Sequence, residues 1–314
     1  MARYVKVSAI APRPHDIDPK KDMNACVDEM IVYWDQWLES VLCDQPDLVM
    51  LPEACDRPPN FTLAQRLAYY AARGNRIRDH FMAVARTHRC NIAYSAARTL
   101  PDGTSRNSTQ FINRLGGIDG VYNKNHLVHD EYFEAHLLYG KDAPIIQTDF
   151  GKVAGVICFD LNYQELREKY EQGKPEVLVF SSMYHGGLMQ NYWAYACRAW
   201  FIGCVAGDQC TIINPIGDLV AQSTNYYPYV TADINLDYRI AHIDYNQDKF
   251  KAAKQKYGSQ LKIYEPGHIG VVLLTSESDA VTMAEIVSEF DIELWDDYYA
   301  RSMAERHAPG HIEP

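Results

Sequence analysis

The chain has 314 residues, 41 of them acidic and 30 basic, for a formal net charge of −11. That balance argues against a phosphate-backbone binder, which needs surplus Lys and Arg. A hydrophobic fraction of 47% with 23% charged residues is that of a globular protein able to bury a full core without disulfide or metal staples.

No stretch approaches the roughly 18 apolar residues of a membrane helix. The opening Met1–Ile10 segment lacks the long apolar centre of an export signal. A cytoplasmic protein with no nucleic-acid or membrane partner is therefore expected, and the sequons at Asn60 and Asn107 are read as incidental. None of the eight cysteines forms a C-x-x-C pair, so most are expected to be buried thiols.

Tyr4 to Ala11 reads as a first strand. A helix follows, with Met23, Cys26, Val27, Met30, Ile31, Trp34, Leu38 and Val41 on one face. Asp47 to Pro52 is a short continuous apolar run, the mark of a strand covered on both sides. Ile77, Phe81 and Ala85 give another helical stripe. Strands are expected at 91–99, 108–115, 120–123, 145–148 and 153–158, separated by Gly- and Asp-rich turns.

A helix is expected from Asp160 to about Glu171, then a buried strand at 176–182. Next come a helix from Met189 to Ile202, a strand at 203–207, a hairpin around Asn214–Asp218 and a strand at 229–236. A largely polar helix is expected from Asp237 to Tyr257. Strands alternating with helices and interrupted by hairpins predict an α/β protein. With no linker or repeat, residues 1–266 are read as one domain and 267–314 as a C-terminal extension.

Three buried-type strands end in polar residues: Glu53 after the first, Cys158 and Asp160 after the second, Ser181 and Ser182 after the third. Ligands collect at the carboxyl ends of strands in open α/β sheets, so a carboxylate and a thiol there can share one pocket. Tyr184 and His185, just beyond the third strand, are candidates to line it.

Three stretches in fixed order carry a resemblance. They are Leu51-Pro52-Glu53, Tyr122-Asn123-Lys124-Asn125-His126-Leu127 and Gly155-Val156-Ile157-Cys158-Phe159-Asp160. With Asp149–Lys152, Arg198-Ala199, Ile213–Gly217 and Thr231–Leu236 around them, the chain resembles the nitrilase, or carbon–nitrogen hydrolase, superfamily over roughly residues 4 to 260.

The resemblance implies a four-layer α-β-β-α sandwich and a Glu53–Lys124–Cys158 triad. Glu53 would be the general base, Cys158 the nucleophile, and Lys124, with the Phe159 backbone N–H, the stabiliser of the oxyanion. Phe159 and Asp160 would also face the substrate. A second glutamate is expected between the Lys and Cys motifs. Glu131 and Glu134 are both candidates, and Glu134 is favoured for its spacing from Gly140.

The expected activity is hydrolysis of a small amide or N-carbamoyl compound through a thioester, with no cofactor. Cys158-Phe159-Asp160 in place of Cys-Trp-Glu leans away from nitriles. Nitrile hydrolysis, acyl transfer to an amine, and a non-catalytic binding protein on the same scaffold are the competing readings. Asn162 stands where many amidase-type members carry Arg, which leaves the substrate open.

His129, Asp130, Glu131, Glu134 and His136 form a dense group without the His-Glu-x-x-His spacing, and no metal is expected there. A homodimer or larger homo-oligomer is expected. One reason is the aromatic content assigned to the Met189–Ile202 helix; another is the stripe Phe290, Leu294, Trp295, Tyr298 and Tyr299, which packs on its own or a neighbouring subunit.

Overall fold

A computed structural model describes residues 1–313. The first half of the chain forms β1 (Tyr4–Ile10), α1 (Met23–Leu42), β2 (Leu48–Met50), α2 (Leu63–Arg73), α3 (Arg76–His88), β3 (Asn91–Thr99), β4 (Ser105–Ile112), β5 (Ile118–Asn123) and the short α4 (His129–Phe133). Then follow β6 (Ile146–Gln147), β7 (Lys152–Ile157), α5 (Gln164–Gly173), β8 (Val177–Ser182), α6 (Leu188–Cys197), β9 (Trp200–Val205), β10 (Cys210–Ile213), β11 (Leu219–Gln222) and β12 (Tyr229–Asn235).

Two six-stranded sheets result, in the orders β12-β1-β2-β3-β4-β5 and β11-β10-β9-β8-β7-β6. Their centres, β1-β2-β3 and β7-β8-β9, are parallel. That explains the continuous apolar runs at 47–52 and 176–182, since parallel strands are covered on both faces.

α1 starts where the Asp22 carboxylate accepts the N–H groups of Asn24 and Ala25. It buries Cys26, Val27, Met30, Trp34, Leu38 and Val41, as the periodicity predicts. With Ile77, Phe81 and Ala85 of α3, this stripe covers Val49, Leu51, Ile92 and Tyr94 of the first sheet. Truncating a buried residue such as Leu38 to Ala would cost about 2–5 kcal/mol. α5 and α6 pack together beside the second sheet, giving the α-β-β-α sandwich.

The sheets meet face to face. The Ser181 hydroxyl donates to the Leu51 carbonyl at 3.0 Å, and the Cys204 thiol to the Ile10 carbonyl at 3.2 Å. Close approach is permitted at Gly155 in β7, where an added Cβ would stand 2.8 Å from the Tyr122 side chain.

Some elements differ from expectation. The Met189–Ile202 helix stops at Cys197, because Arg198 takes a left-handed φ of 55°. Trp200, Phe201 and Ile202 then enter β9 as a buried run. Trp193, Trp200 and Phe201 are all buried within this chain, while Tyr192 of α6 stays 42% exposed. After Cys158 the chain makes a 3₁₀ turn to Asn162, and the helix begins only at Gln164.

Val5–Ile234 forms one compact unit, while Met1–Tyr4 and the chain from Asn235 form another. The second unit contains β13 (Tyr238–His242), α7 (Gln247–Tyr257), β14 (Leu261–Tyr264), β15 (Val271–Ser276), α8 (Met283–Glu289) and α9 (Trp295–Arg306). The expected Asp237–Tyr257 helix is thus a strand followed by a shorter helix.

The division also falls earlier than the 266/267 boundary expected. The reason is pairing: β15 is the middle strand of the sheet β13-β15-β14, so residues before and after 267 share one core. Within this unit the His242 ring stacks on Tyr298 at 3.6 Å and Trp295 at 5.5 Å, and Phe290 packs against the core. Part of the C-terminal stripe is therefore used in its own subunit.

Candidate active site

Glu53 follows β2 by the turn Leu51-Pro52, Lys124 follows β5, and Cys158 follows β7. The structure brings all three together between the sheets, and all three are buried. Lys124 is 1% exposed, and its Nζ donates to Glu53 Oε1 at 2.9 Å and to Glu131 Oε2 at 2.7 Å. An ammonium has three N–H donors, so one remains for a ligand oxygen.

Asn107 in β4 completes the arrangement. Its Nδ2 donates to Glu53 Oε1 and to Glu131 Oε1, each at 2.8 Å. Glu53, Lys124, Glu131 and Asn107 thus form a closed hydrogen-bonded ring. Glu53 Oε2 accepts the Met183 backbone N–H at 3.0 Å. These bonds fix the carboxylate from several sides.

Glu131, not the favoured Glu134, is the glutamate that contacts Lys124. α4 has only five residues, and Glu131 sits in its first turn, where its Oε2 also accepts the Val128 N–H at 2.9 Å. That capping contact turns the side chain inward onto Lys124. Glu134 ends the same helix and is exposed. Counting back from Gly140 cannot register where so short a helix begins.

Cys158 is the first residue of the 3₁₀ turn and has a φ of 51°. A left-handed non-glycine residue costs roughly 1–2 kcal/mol, and such strain recurs where function needs a fixed side-chain direction. Burial pushes its thiol up to about 12, and the Glu53 charge adds to this, while Lys124 acts in the opposite sense.

Burial also works to raise the Glu53 carboxyl, but the Lys124 charge and hydrogen bonds from Lys124, Cys158 and Asn107 outweigh it and hold it below its ordinary value. Burial opposes the Lys124 charge, but Glu53 and Glu131 more than compensate, so its titration moves up. The resting site is therefore carboxylate, ammonium and thiol. The thiol needs a base at the moment of attack rather than ionising beforehand.

Asp160 turns both its oxygens to protein groups. It is fully buried; Oδ1 accepts the His126 N–H at 2.8 Å and bonds His126 Nδ1 at 2.9 Å, while Oδ2 accepts the Tyr122 hydroxyl at 2.6 Å. It ties the end of the lysine strand to the cysteine turn.

Phe159 is 42% exposed, with its ring 5.5 Å from that of Tyr184. Tyr184 is half-buried, and its backbone N–H donates to Ser182 Oγ. His185 is exposed and lines a separate polar hollow with Gln190, Asp208 and Thr211. The Tyr184 ring thus has Phe159 at 5.5 Å and His185 at 4.7 Å.

The His129–His136 group does not converge. Glu131 points to Lys124, whereas His129 is exposed beside Asp130. Among the described residues no three His, Cys, Asp or Glu side chains are gathered to hold a metal ion. Sequence reasoning missed Asn107, which it met only as an incidental sequon. A polar residue on an antiparallel strand carries no motif that marks it as inward-facing.

A sequence model of the carbon-nitrogen hydrolase family matches residues 27–242, more than half of the chain. A probable nitrilase, C965.09, of Schizosaccharomyces pombe is 34% identical over 76 residues, 24% of this chain and 27% of that protein. The omega-amidase NIT2 of Xenopus tropicalis is 23% identical over 116 residues, 32% of this chain and 42% of that protein. The chain thus spans less than half the length of these curated relatives.

Among solved structures, the carbon-nitrogen hydrolase of Helicobacter pylori G27 superposes with a TM-score of 0.61 at 15% identity, over 81% of this chain and 93% of that one. The C. elegans NitFhit protein gives 0.65 at 14% identity, over 98% of this chain and 87% of that one. At such identities the likeness speaks for the fold.

Proposed function

Because this chain belongs to the carbon–nitrogen hydrolase family, we propose that it hydrolyses a small amide or N-carbamoyl compound through a thioester on Cys158. The observation that carries the reading is the convergence of a buried thiol, a buried carboxylate and a buried ammonium, with the carboxylate held ionised and the ammonium keeping one donor uncommitted.

The chemistry balances on these residues. Cys158 Sγ attacks the substrate carbonyl carbon as its proton passes to Glu53. The carbonyl oxygen becomes an oxyanion beside Lys124 Nζ and the Phe159 backbone N–H. Collapse breaks the C–N bond, and the amine leaves with the proton held by Glu53. Water then attacks the thioester, giving its proton to Glu53. The second collapse releases the acid, and the proton returns to Cys158.

Each step asks Glu53 to take or give one proton, which suits a carboxylate touching both Lys124 and the thiol. Glu131 and Asn107 position it without contacting the substrate. The buried, uncharged thiol argues for proton transfer during attack. Omega-amidase NIT2, a relative over part of its length, gives the amide reading further weight.

The test is intact-mass spectrometry after brief mixing with amides, N-carbamoyl amino acids and nitriles. A transient acyl adduct is expected on the wild-type chain and absent from Cys158→Ala. Turnover of Cys158→Ala above about a thousandth of the wild-type rate would refute it.

A further inference from the structure

His126 lies two residues beyond Lys124, and Asp160 lies two beyond Cys158. Their contact joins the chain of the oxyanion donor to the chain of the nucleophile. Asp160 Oδ1 takes the His126 backbone N–H at 2.8 Å and stands 2.9 Å from Nδ1 of the same ring. Oδ2 takes the Tyr122 hydroxyl at 2.6 Å and the Ile157 N–H at 3.3 Å. Tyr122 and His126 flank Lys124, so one carboxylate grips the chain on both sides of the lysine.

The far ring nitrogen, Nε2, is 2.9 Å from Glu165 Oε1 in the first turn of α5. A neutral imidazole has one N–H and can serve only one of these carboxylates; an imidazolium serves both. The side chain is 12% exposed, and Tyr163 covers the ring, stacked at 3.7 Å and 6°. Burial works against the charge, but the hydrogen bonds to Asp160 and Glu165 and the charges of both outweigh it, so the ring titrates above its ordinary value of 6.5. Among the described residues no other cation bonds to the fully buried Asp160. Losing the proton leaves one N–H for two acceptors and a buried carboxylate without a countercharge.

We propose that His126, in its doubly protonated form, is a positioning residue for Lys124 and Cys158, and that turnover falls as pH rises and the ring gives up its proton. The proposal rests on the hydrolase reading of Cys158 and adds a pH control to that site. The groups facing the ring are Asp160 from the cysteine turn, Glu165 from α5 and Tyr163 between them. Lys169, a turn further along α5, acts on Glu165, and Tyr122 of β5 acts through Asp160. The folded-state value is raised, so the link is fully made below 6.5 and is lost as pH rises through the raised value. The triad keeps its charges in that window: Glu53 is held below 4.5 despite its burial, Lys124 is moved up despite its burial, and burial pushes Cys158 up to about 12.

The test follows kcat and KM from about pH 6 to about pH 9.5 on wild type, Glu165→Gln and His126→Gln. Wild type should lose about tenfold in kcat across this range with little change in KM, the mark of misplaced reacting groups. Glu165 is 70% exposed at its side chain, so Glu165→Gln folds normally. It should match wild type within about twofold on the acid side and bring the fall to lower pH, because one carboxylate no longer favours the charged ring. His126→Gln should be slow at every pH, by about tenfold in kcat, and should show no fall above 6.5.

A flat wild-type profile, a fall that survives in His126→Gln, or a midpoint that Glu165→Gln leaves in place would overturn the proposal. Nuclear magnetic resonance of the His126 ring and of the backbone amides at 157–160 separates this idea from the hydrolase reading. A ring that titrates above 6.5, with those amides shifting at the same midpoint and both moving down together in Glu165→Gln, upholds the link even if no turnover is found. Amides that ignore the titration of the ring sink it even if turnover is.

Discussion

Replacing Lys124 with Met keeps an unbranched chain of similar bulk and deletes only the ammonium. In the wild type that ammonium neutralises two carboxylates, Glu53 at 5% and Glu131 at 16% side-chain exposure. Removing one member of a buried ion pair costs about 3–5 kcal/mol, because the partner is left charged and unsolvated. The loss must depend on pH.

In the wild type the Glu53 carboxyl lies below its ordinary value of 4.5. Its contribution is therefore fully present above that value and is lost as pH falls through the folded-state value. In Lys124→Met the same burial acts without the cation, so the folded-state value lies above the ordinary one. Stability there is greatest below 4.5 and declines as pH rises through the raised value.

Urea denaturation of both proteins at about pH 7.5 and about pH 5 reads this directly. The variant should regain stability at the lower pH, while the wild type gains none. Acylation should be slower by about a hundredfold to a thousandfold, the usual cost of a lost oxyanion donor. Parallel stability losses at the two pH values would refute the reasoning, since a packing defect does not titrate.

Two further predictions separate positions the sequence alone confuses. Glu131→Gln, which removes a charge from Lys124, should lower kcat at least roughly tenfold, whereas Glu134→Gln should stay within about twofold; steady-state kinetics with the preferred amide decide between them. Cys158→Gly and Cys158→Ala should both be inactive, yet the glycine variant should be the more stable by about 1 kcal/mol, because only alanine keeps the left-handed strain. Equal urea midpoints would show that the turn at 158 stores none.

The fold was largely legible from the alternation of buried strands with amphipathic helices, since α1 obeys one clear period and β2 is an unbroken apolar run. The failures have local causes. Arg198 ends a helix by a backbone conformation to which its side chain gives no clue, and the aromatic run after it suits strand as well as helix. β13 was hidden because Tyr238-Arg239-Ile240-Ala241-His242 is short and half polar.

At the site, Glu53, Lys124 and Cys158 could be found because each lies within a recognisable stretch. Glu131 and Asn107 are set by a five-residue helix and by a side chain crossing between strands, and neither leaves a period or a spacing to read. Asp160 belongs to a motif, but membership does not reveal that its oxygens are taken by His126 and Tyr122.

The ring of Glu53, Asn107, Glu131 and Lys124 hangs from the first sheet and its loops, while Cys158 is delivered by the second. No stretch of chain smaller than both sheets in contact contains the reactive assembly. A partly folded molecule carries an ordinary thiol, and the paired base and cation reach it only when the sheets close at Gly155 and Tyr122. During refolding, the appearance of acylation competence at Cys158 would then time the last docking event, a chemical stopwatch for sheet closure that backbone spectroscopy cannot supply.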